Sequence, residues 1–132
     1  GFRVGGQGGQ GIQCDESSRM ACIKEDNCNN KDLSNCDLQD HLFYETDFSN
    51  TDLTNAKLNR STIQGVDTDF SNTNITNADF GGSNIVYVDL NKNIIGAFTA
   101  KCSEHTSFDH DIPSLSPYKC SNDGLWIKKT LK

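Results

Sequence analysis

The chain has 132 residues, a net charge of −6 and only 34% hydrophobic residues, which is the size of one domain with a thin core. It holds no run of 18 apolar residues, which excludes a membrane-spanning helix, and its acidic balance excludes a basic nucleic-acid groove. It begins with Gly1 rather than Met and carries no amino-terminal signal sequence, which a cleaved precursor or a trimmed chain would explain.

Residues 1–30 read as a leader followed by a Cys-rich cap. Gly5-Gly6-Gln7-Gly8-Gly9 precedes no strand–helix unit and has no Lys, so it is a flexible leader rather than a phosphate loop. Asp15 to Asp26 reads as a short helix that turns Met20, Ala21 and Ile23 toward the rest of the domain. The spacing of Cys14, Cys22, Cys28 and Cys36 contains no close Cys-x-x-Cys pair and no adjacent His, which argues against zinc.

From residue 31 to 97 the pattern changes. Thirteen apolar residues recur every five positions: Leu33, Leu38, Phe43, Phe48, Leu53, Leu58 and Ile63, then Phe70, Ile75, Phe80, Ile85, Leu90 and Ile95. A helix repeats at 3.6 and a strand at 2, so a strict five fits neither. Two residues before each centre the side chain is usually small, and one before it is usually Asp or Asn. Asn, Asp, Thr and Ser dominate the stretch and disfavour a helix. Residues 46–63 and 68–85 align at an offset of 22, with eleven of eighteen positions identical.

Units such as Thr46-Asp47-Phe48-Ser49-Asn50, Thr51-Asp52-Leu53-Thr54-Asn55 and Ala78-Asp79-Phe80-Gly81-Gly82 resemble the pentapeptide-repeat family. The resemblance implies an all-β fold, a right-handed quadrilateral parallel β-helix of about three coils. Centre and small residues would point inward, with four units to a square coil. Stacked coils would then form the ladders Phe48–Phe70–Leu90, Leu53–Ile75–Ile95, Leu58–Phe80 and Phe43–Ile63–Ile85. Ala56–Ala78 and Ser61–Ser83 would stack beside them. The two extra residues should bulge from a corner at Gly65–Asp67, where Gly relieves the backbone. Ten acidic and four basic residues fall in 31–97, so the outer walls of the column carry the whole charge excess.

A solenoid needs capped ends, and residues 98–132 read as the second cap. Six cysteines, an even number concentrated outside the repeat, read as disulfides in an oxidising compartment. Cys102 is expected to pair with Cys120 across a loop rich in Pro and Ser. Cys14, Cys22, Cys28 and Cys36 then pair among themselves in unknown order. Cys36 sits at a small inward position, where a reduced thiol is the alternative. His105, Asp109 and His110, with Asp111, form the one local cluster with ligand chemistry for a divalent ion. A solvated loop is the preferred reading of them, and small spacings along one loop do not make a triad of Ser103, His105 and Asp109. His41 is read as a capping or solvent-facing residue. Asn59-Arg60-Ser61 and Asn74-Ile75-Thr76 match the glycosylation pattern, but such matches arise by chance in a repeat this rich in Asn and Thr. The tail from Tyr118 through Cys120 to Gly124-Leu125-Trp126 resembles the end of extracellular disulfide modules and of type IV pilin-like subunits, and Trp126 is expected to seal the column.

These features point to a non-enzymatic, extracytoplasmic scaffold with no cofactor. Its partner would be a protein or a surface polymer, and self-assembly is a further option for repetitive walls. A pilus-like subunit and a metal-binding loop at His105–Asp111 are alternatives. The family resemblance adds another, because some acidic members resemble a DNA rod and bind DNA topoisomerases. One duplex turn is about 34 Å, however, and three coils at strand spacing reach only about 15 Å.

Overall fold

The computed structural model describes residues 13–108 and 113–129. In chain order these form helix α1 (Glu16–Glu25) and strands β1 (Leu42–Tyr44), β2 (Thr62–Gln64), β3 (Asn84–Val86) and β4 (Ser107–Phe108). A closing hairpin follows, made of β5 (Tyr118–Cys120) and β6 (Trp126–Lys128). Strands β1 to β4 stack in order as one parallel sheet. The other walls carry only single parallel bridges, such as Asp32 to Asp52 to Asn74 and Asp37 to Lys57 to Asp79. Together they make a quadrilateral parallel β-helix.

Each five-residue unit folds for local reasons. The carbonyl of the apolar centre accepts from the N–H three residues on, as in Leu53 to Ala56 at 3.0 Å and Ile75 to Ala78 at 2.9 Å. The third residue of that turn is left-handed, and Asn fills it at Asn35, Asn50, Asn55, Asn72 and Asn77, with φ between 56° and 63°. Asn tolerates this region and suits that turn position. The acidic residue before the centre closes a second ring. Asp52 Oδ1 accepts from the Thr54 backbone N–H (2.9 Å) and hydroxyl (2.6 Å), and Asn74 does the same for Thr76. The small residue is buried and ties coils together: the hydroxyls of Thr51, Ser61 and Thr73 donate to the carbonyls of Cys28, Leu38 and Phe48 at 2.6–2.8 Å. Those three hydroxyls are thereby satisfied, which is what lets them be inside at all, whereas the buried hydroxyls of Thr46 and Ser83 have no hydrogen-bond partner among the described residues.

Twelve of the thirteen apolar centres are fully buried. Backbone pairing stacks Phe43 on Ile63 on Ile85. The same register holds for Leu53 below Ile75 and Leu58 below Phe80, through the Asp52–Asn74 and Lys57–Asp79 bridges. Phe48 and Phe70 ring centres lie 5.2 Å apart, and Leu90, twenty residues on, is fully buried in the same core. The insertion leaves the column at a corner, where Gly65 has φ 121° and Val66 is 71% exposed.

The thirteenth centre differs. Ile95 is 45% exposed and pairs with Asn74, the outward residue, so it stands outside the column. The inward position that follows belongs to Ala97, which is 5% exposed and whose carbonyl accepts from the Ala100 N–H at 3.2 Å, as that of Ile75 accepts from Ala78. The reason is a change of step in the last coil: Leu90 and Ala97 stand seven apart, as Ile63 and Phe70 do, so a count of five lands on Ile95 two residues early. Residues beyond 97, expected as cap, therefore complete a fourth turn. Ala100 continues the Ala56–Ala78 stack and Phe108 continues Ile85. At the other end Cys28 is a buried centre too, since Thr51 reaches its carbonyl as Thr73 reaches that of Phe48.

Both ends are covered. Helix α1 starts at Asp15, whose carboxylate accepts from the backbone of Ser17 and Ser18, and ends at left-handed Asp26. Cys22 is the fully buried face of α1, whereas Met20, expected inward, is 37% exposed. Arg19 Nε donates to the Asp37 carbonyl at 2.8 Å and so covers an open edge of the first coil. Disulfides Cys22–Cys28 and Cys14–Cys36 hold the helix there, and Cys36 is thus bridged rather than free. At the far end Leu90 N–H donates to Leu115 and Trp126 N–H to Ala100, while Leu125 bridges Lys101 in antiparallel sense. This reversal ends the parallel stack. Trp126 is fully buried, with its ring 4.9 Å from Phe80, 4.8 Å from Phe108 and 5.3 Å from Tyr118. Cys102–Cys120 fastens the hairpin.

Candidate interaction surface

Because the coils stack in register, every wall is a ladder of residues that are twenty or so apart in sequence. On the first wall the paired outward residues are Asp32, Asp52, Asn74 and Ile95. The second carries Asp37, Lys57, Asp79 and Lys101, a ladder of alternating sign. The fourth stacks Asp47 on Asp69. On the third wall stand Leu42, Thr62, Asn84 and Ser107, with Tyr44, Gln64 and Val86 beyond the centres, and none of these is charged. The acidic excess is segregated by wall, a pattern that a linear charge count does not reveal.

The carboxylates of the charged walls serve the turns. Hydroxyl and backbone donation from Ser71 holds the Asp69 carboxyl below its ordinary value, and backbone donation from Gln39, then its side chain, does the same for Asp37. Asp89 is lowered by the backbone N–H of Asn91. At the corner entering the third wall, Arg60 is bonded to Asp40 at 2.9 Å and to Gln39 at 3.0 Å, which pairs the two charges at that entry corner.

Of the seven exposed large apolar side chains among the described residues, four lie on the third wall or at its exit corner. Leu42 and Tyr44 are each 58% exposed, and at the exit corner Val66 is 71% and Tyr87 41% exposed. Its strands are three residues long with extended, β-favouring side chains after the centre, where the other walls turn at once. His41 enters this wall partly buried, its ring 4.6 Å from Phe43, so it packs at the corner.

The candidates for chemistry are placed differently. His105 lies exposed beside Glu104 at 3.5 Å, on an open cleft of about 480 Å³ between β4 and β5 that also includes Tyr118 and Lys119. Asp109, His110 and Asp111 lie outside the described residues. Among the described residues no group of three or more His, Cys, Asp or Glu side chains could hold a metal ion. The Ser103 hydroxyl accepts from the backbone of Gly82 and His105, so it is part of a turn. No helix among the described residues is long and apolar enough to cross a membrane.

A search of curated proteins finds no match. Among solved structures, a pentapeptide-repeat protein of the Arabidopsis thaliana thylakoid lumen is 17% identical, with a TM-score of 0.41, over 64% of this chain and 72% of that one. The pentapeptide-repeat protein Rfr23 of the cyanobacterium Cyanothece is 26% identical, with a TM-score of 0.28, over 63% of this chain and 57% of that one. The family model described as Pentapeptide repeats matches in 8 copies over residues 27–67 and 66–92, starting at the unit that contains Cys28. Those matches together span half the chain, and the protein belongs to the pentapeptide-repeat family, with its right-handed quadrilateral β-helix.

Proposed function

We propose that this protein is a non-enzymatic, extracytoplasmic scaffold that presents a protein-binding wall on a disulfide-stapled column. Members of the family are generally structural or interaction proteins. The observation that carries the compartment is that all six cysteines pair, one bridge fastening the far cap and two the near one. Such bridges persist where thiols are oxidised. The test is the mass of the natively purified protein after alkylation without reductant. Three intact bridges, and a melting temperature that falls on reduction, are expected. Six alkylated thiols with an unchanged melting temperature would sink the reading.

The DNA-mimic alternative fits the walls less well. A mimic needs acidic groups around the column, whereas the second wall alternates in sign and the third is uncharged. Four levels at strand spacing span about 14 Å from first to last, under half a duplex turn. Inhibition of gyrase supercoiling by the purified protein would reinstate it.

A further inference from the structure

We propose that the closing hairpin β5–β6 is a redox-released cap: opening the Cys102–Cys120 bridge frees it and bares the end of the column, while the coils beneath stay folded. The inference goes beyond the scaffold reading. Its test starts from the oxidised protein, so it stands or falls apart from the compartment.

The two ends are fastened unequally. Helix α1 is held by two bridges, so opening either one leaves it attached through the other. The hairpin has a single bridge, to Cys102 in the fourth coil. Access differs as well. Cys22 and Cys28 are fully buried, whereas Cys120 is only partly covered and borders two open clefts of about 480 Å³ and about 360 Å³. Thiol–disulfide exchange depends on access to the sulfur, so a reductant reaches the far bridge without unfolding the column.

Little main chain ties the hairpin down apart from the bridge. It forms a two-stranded sheet separate from the four-stranded one, closed by its own bonds from Ser121 N–H to the Leu125 carbonyl at 2.8 Å and Lys129 N–H to that of Pro117 at 2.7 Å. Among the described residues two backbone bonds join it to the fourth coil, Trp126 N–H to the Ala100 carbonyl at 3.1 Å and Cys102 N–H to that of Gly124 at 2.9 Å. The segment entering it is tied separately, because the Leu115 carbonyl accepts from Leu90 N–H and the Ser114 carbonyl from Asn91 Nδ2. The apolar hold is the Trp126 ring on Phe80 and Phe108. Trp126 is the cross-strand partner of Cys120, so the bridge clamps the strand that faces the sealing ring. Opening a loop with a sequence separation of 18 raises the released population by roughly a hundredfold.

The step needs a dithiol reductant. One of its thiolates attacks Cys120 Sγ, forms a mixed disulfide and expels Cys102 as a thiolate, which takes up a proton. The second thiol, deprotonated, then attacks the reductant's own sulfur in that mixed disulfide. Cys120 leaves and is protonated, and the reductant becomes a cyclic disulfide. Two electrons and two protons thus pass to the bridge.

Graded dithiothreitol on the oxidised protein, followed by alkylation and mass mapping, is expected to open Cys102–Cys120 while Cys22–Cys28 stays closed. Amide exchange of that species should quicken roughly a hundredfold at Trp126 and Cys102 and stay unchanged at Leu53 and Leu58. Trp126 is the one tryptophan of the chain, and its emission should shift to the red as the ring meets water. Oxidised glutathione should reverse all three changes. The double variant Cys102→Ser/Cys120→Ser should show the same exchange pattern with both near bridges closed. Exchange that quickens equally at all four amides overturns the proposal, because the bridge then only stabilises the whole fold. So does unchanged exchange at Trp126 with the bridge open, or the loss of Cys22–Cys28 before Cys102–Cys120.

Discussion

Gly96 offers the sharpest test of the column's last coil. It sits at φ 75° and ψ 17°, against Thr76 in the coil below. A Cβ there would overlap the Thr76 hydroxyl and lie 2.8 Å from Thr76 Cα and 2.9 Å from its N. Two of those neighbours are backbone, which cannot swing aside. Gly96→Ala therefore meets two costs. The left-handed backbone is worth about 1–2 kcal/mol against an L side chain, and crowding the coil below adds about 1–3 kcal/mol. Reduced freedom of the unfolded chain returns about 0.4–1 kcal/mol, leaving a net loss of about 2–4 kcal/mol from a total of about 5–15 kcal/mol. Gly82 is the control. It has φ 70°, but its nearest neighbours are the Arg60 Cγ at 3.4 Å and the Arg60 N at 4.0 Å. Gly82→Ala should meet only the left-handed cost, about 1 kcal/mol. Urea unfolding without reductant measures both. With a slope near 1.5 kcal/mol/M, Gly96→Ala should lower the midpoint by roughly 2 M and Gly82→Ala by well under 1 M. Equal midpoints for the two variants would refute the argument that the fourth coil rests on the third at Gly96.

Three further outcomes are expected. Replacing both Cys102 and Cys120 by Ser opens a loop with a sequence separation of 18, and should cost about 3 kcal/mol by thermal or urea unfolding. Phe70→Ala removes a fully buried ring packed 5.2 Å from Phe48, and should cost about 3–5 kcal/mol. For pH, Asp37, Asp69 and Asp89 have lowered folded values. Their stabilisation is complete above the unfolded carboxyl value of about 3.9 and is lost as pH falls through the lower folded values. The urea midpoint should therefore hold from neutral pH to about 5 and decline below it. Asp69→Asn keeps the acceptor that Asn74 uses and should blunt that decline. An unchanged acid profile in this variant would mean the Asp69 turn contributes nothing to it.

Sequence and structure divide this protein at identifiable residues. The ladder of Phe43, Ile63 and Ile85 was legible because each unit is built locally. Asn at the left-handed corner, Asp closing its own turn and a small residue behind the centre are all chosen within five positions. The bulge at Gly65–Asp67 was legible for the same reason, as a break in a count. Ile95 was not, because the step from Leu90 to the buried Ala97 is seven and a count of five lands two residues early. Cys28 was missed as a centre because its side chain was counted among the cysteines rather than the apolar residues, although its place five before Leu33 was a usable signal. The amino-terminal disulfide pairs needed three dimensions, since any order among Cys14, Cys22, Cys28 and Cys36 satisfies the spacing. Only α1 folded under the first coil brings Cys22 to Cys28 and Cys14 to Cys36.

The sequence by itself determined the repeating unit and hence the column, since short-range turns and a five-residue period leave the chain no other regular shape. Tertiary structure decided where the column ends, which cysteines meet and how charge is distributed over its sides. Those depend on stacking residues twenty or more apart. Leu42, Thr62, Asn84 and Ser107 share nothing along the chain, yet in register they make an uncharged ladder on one side of an acidic protein.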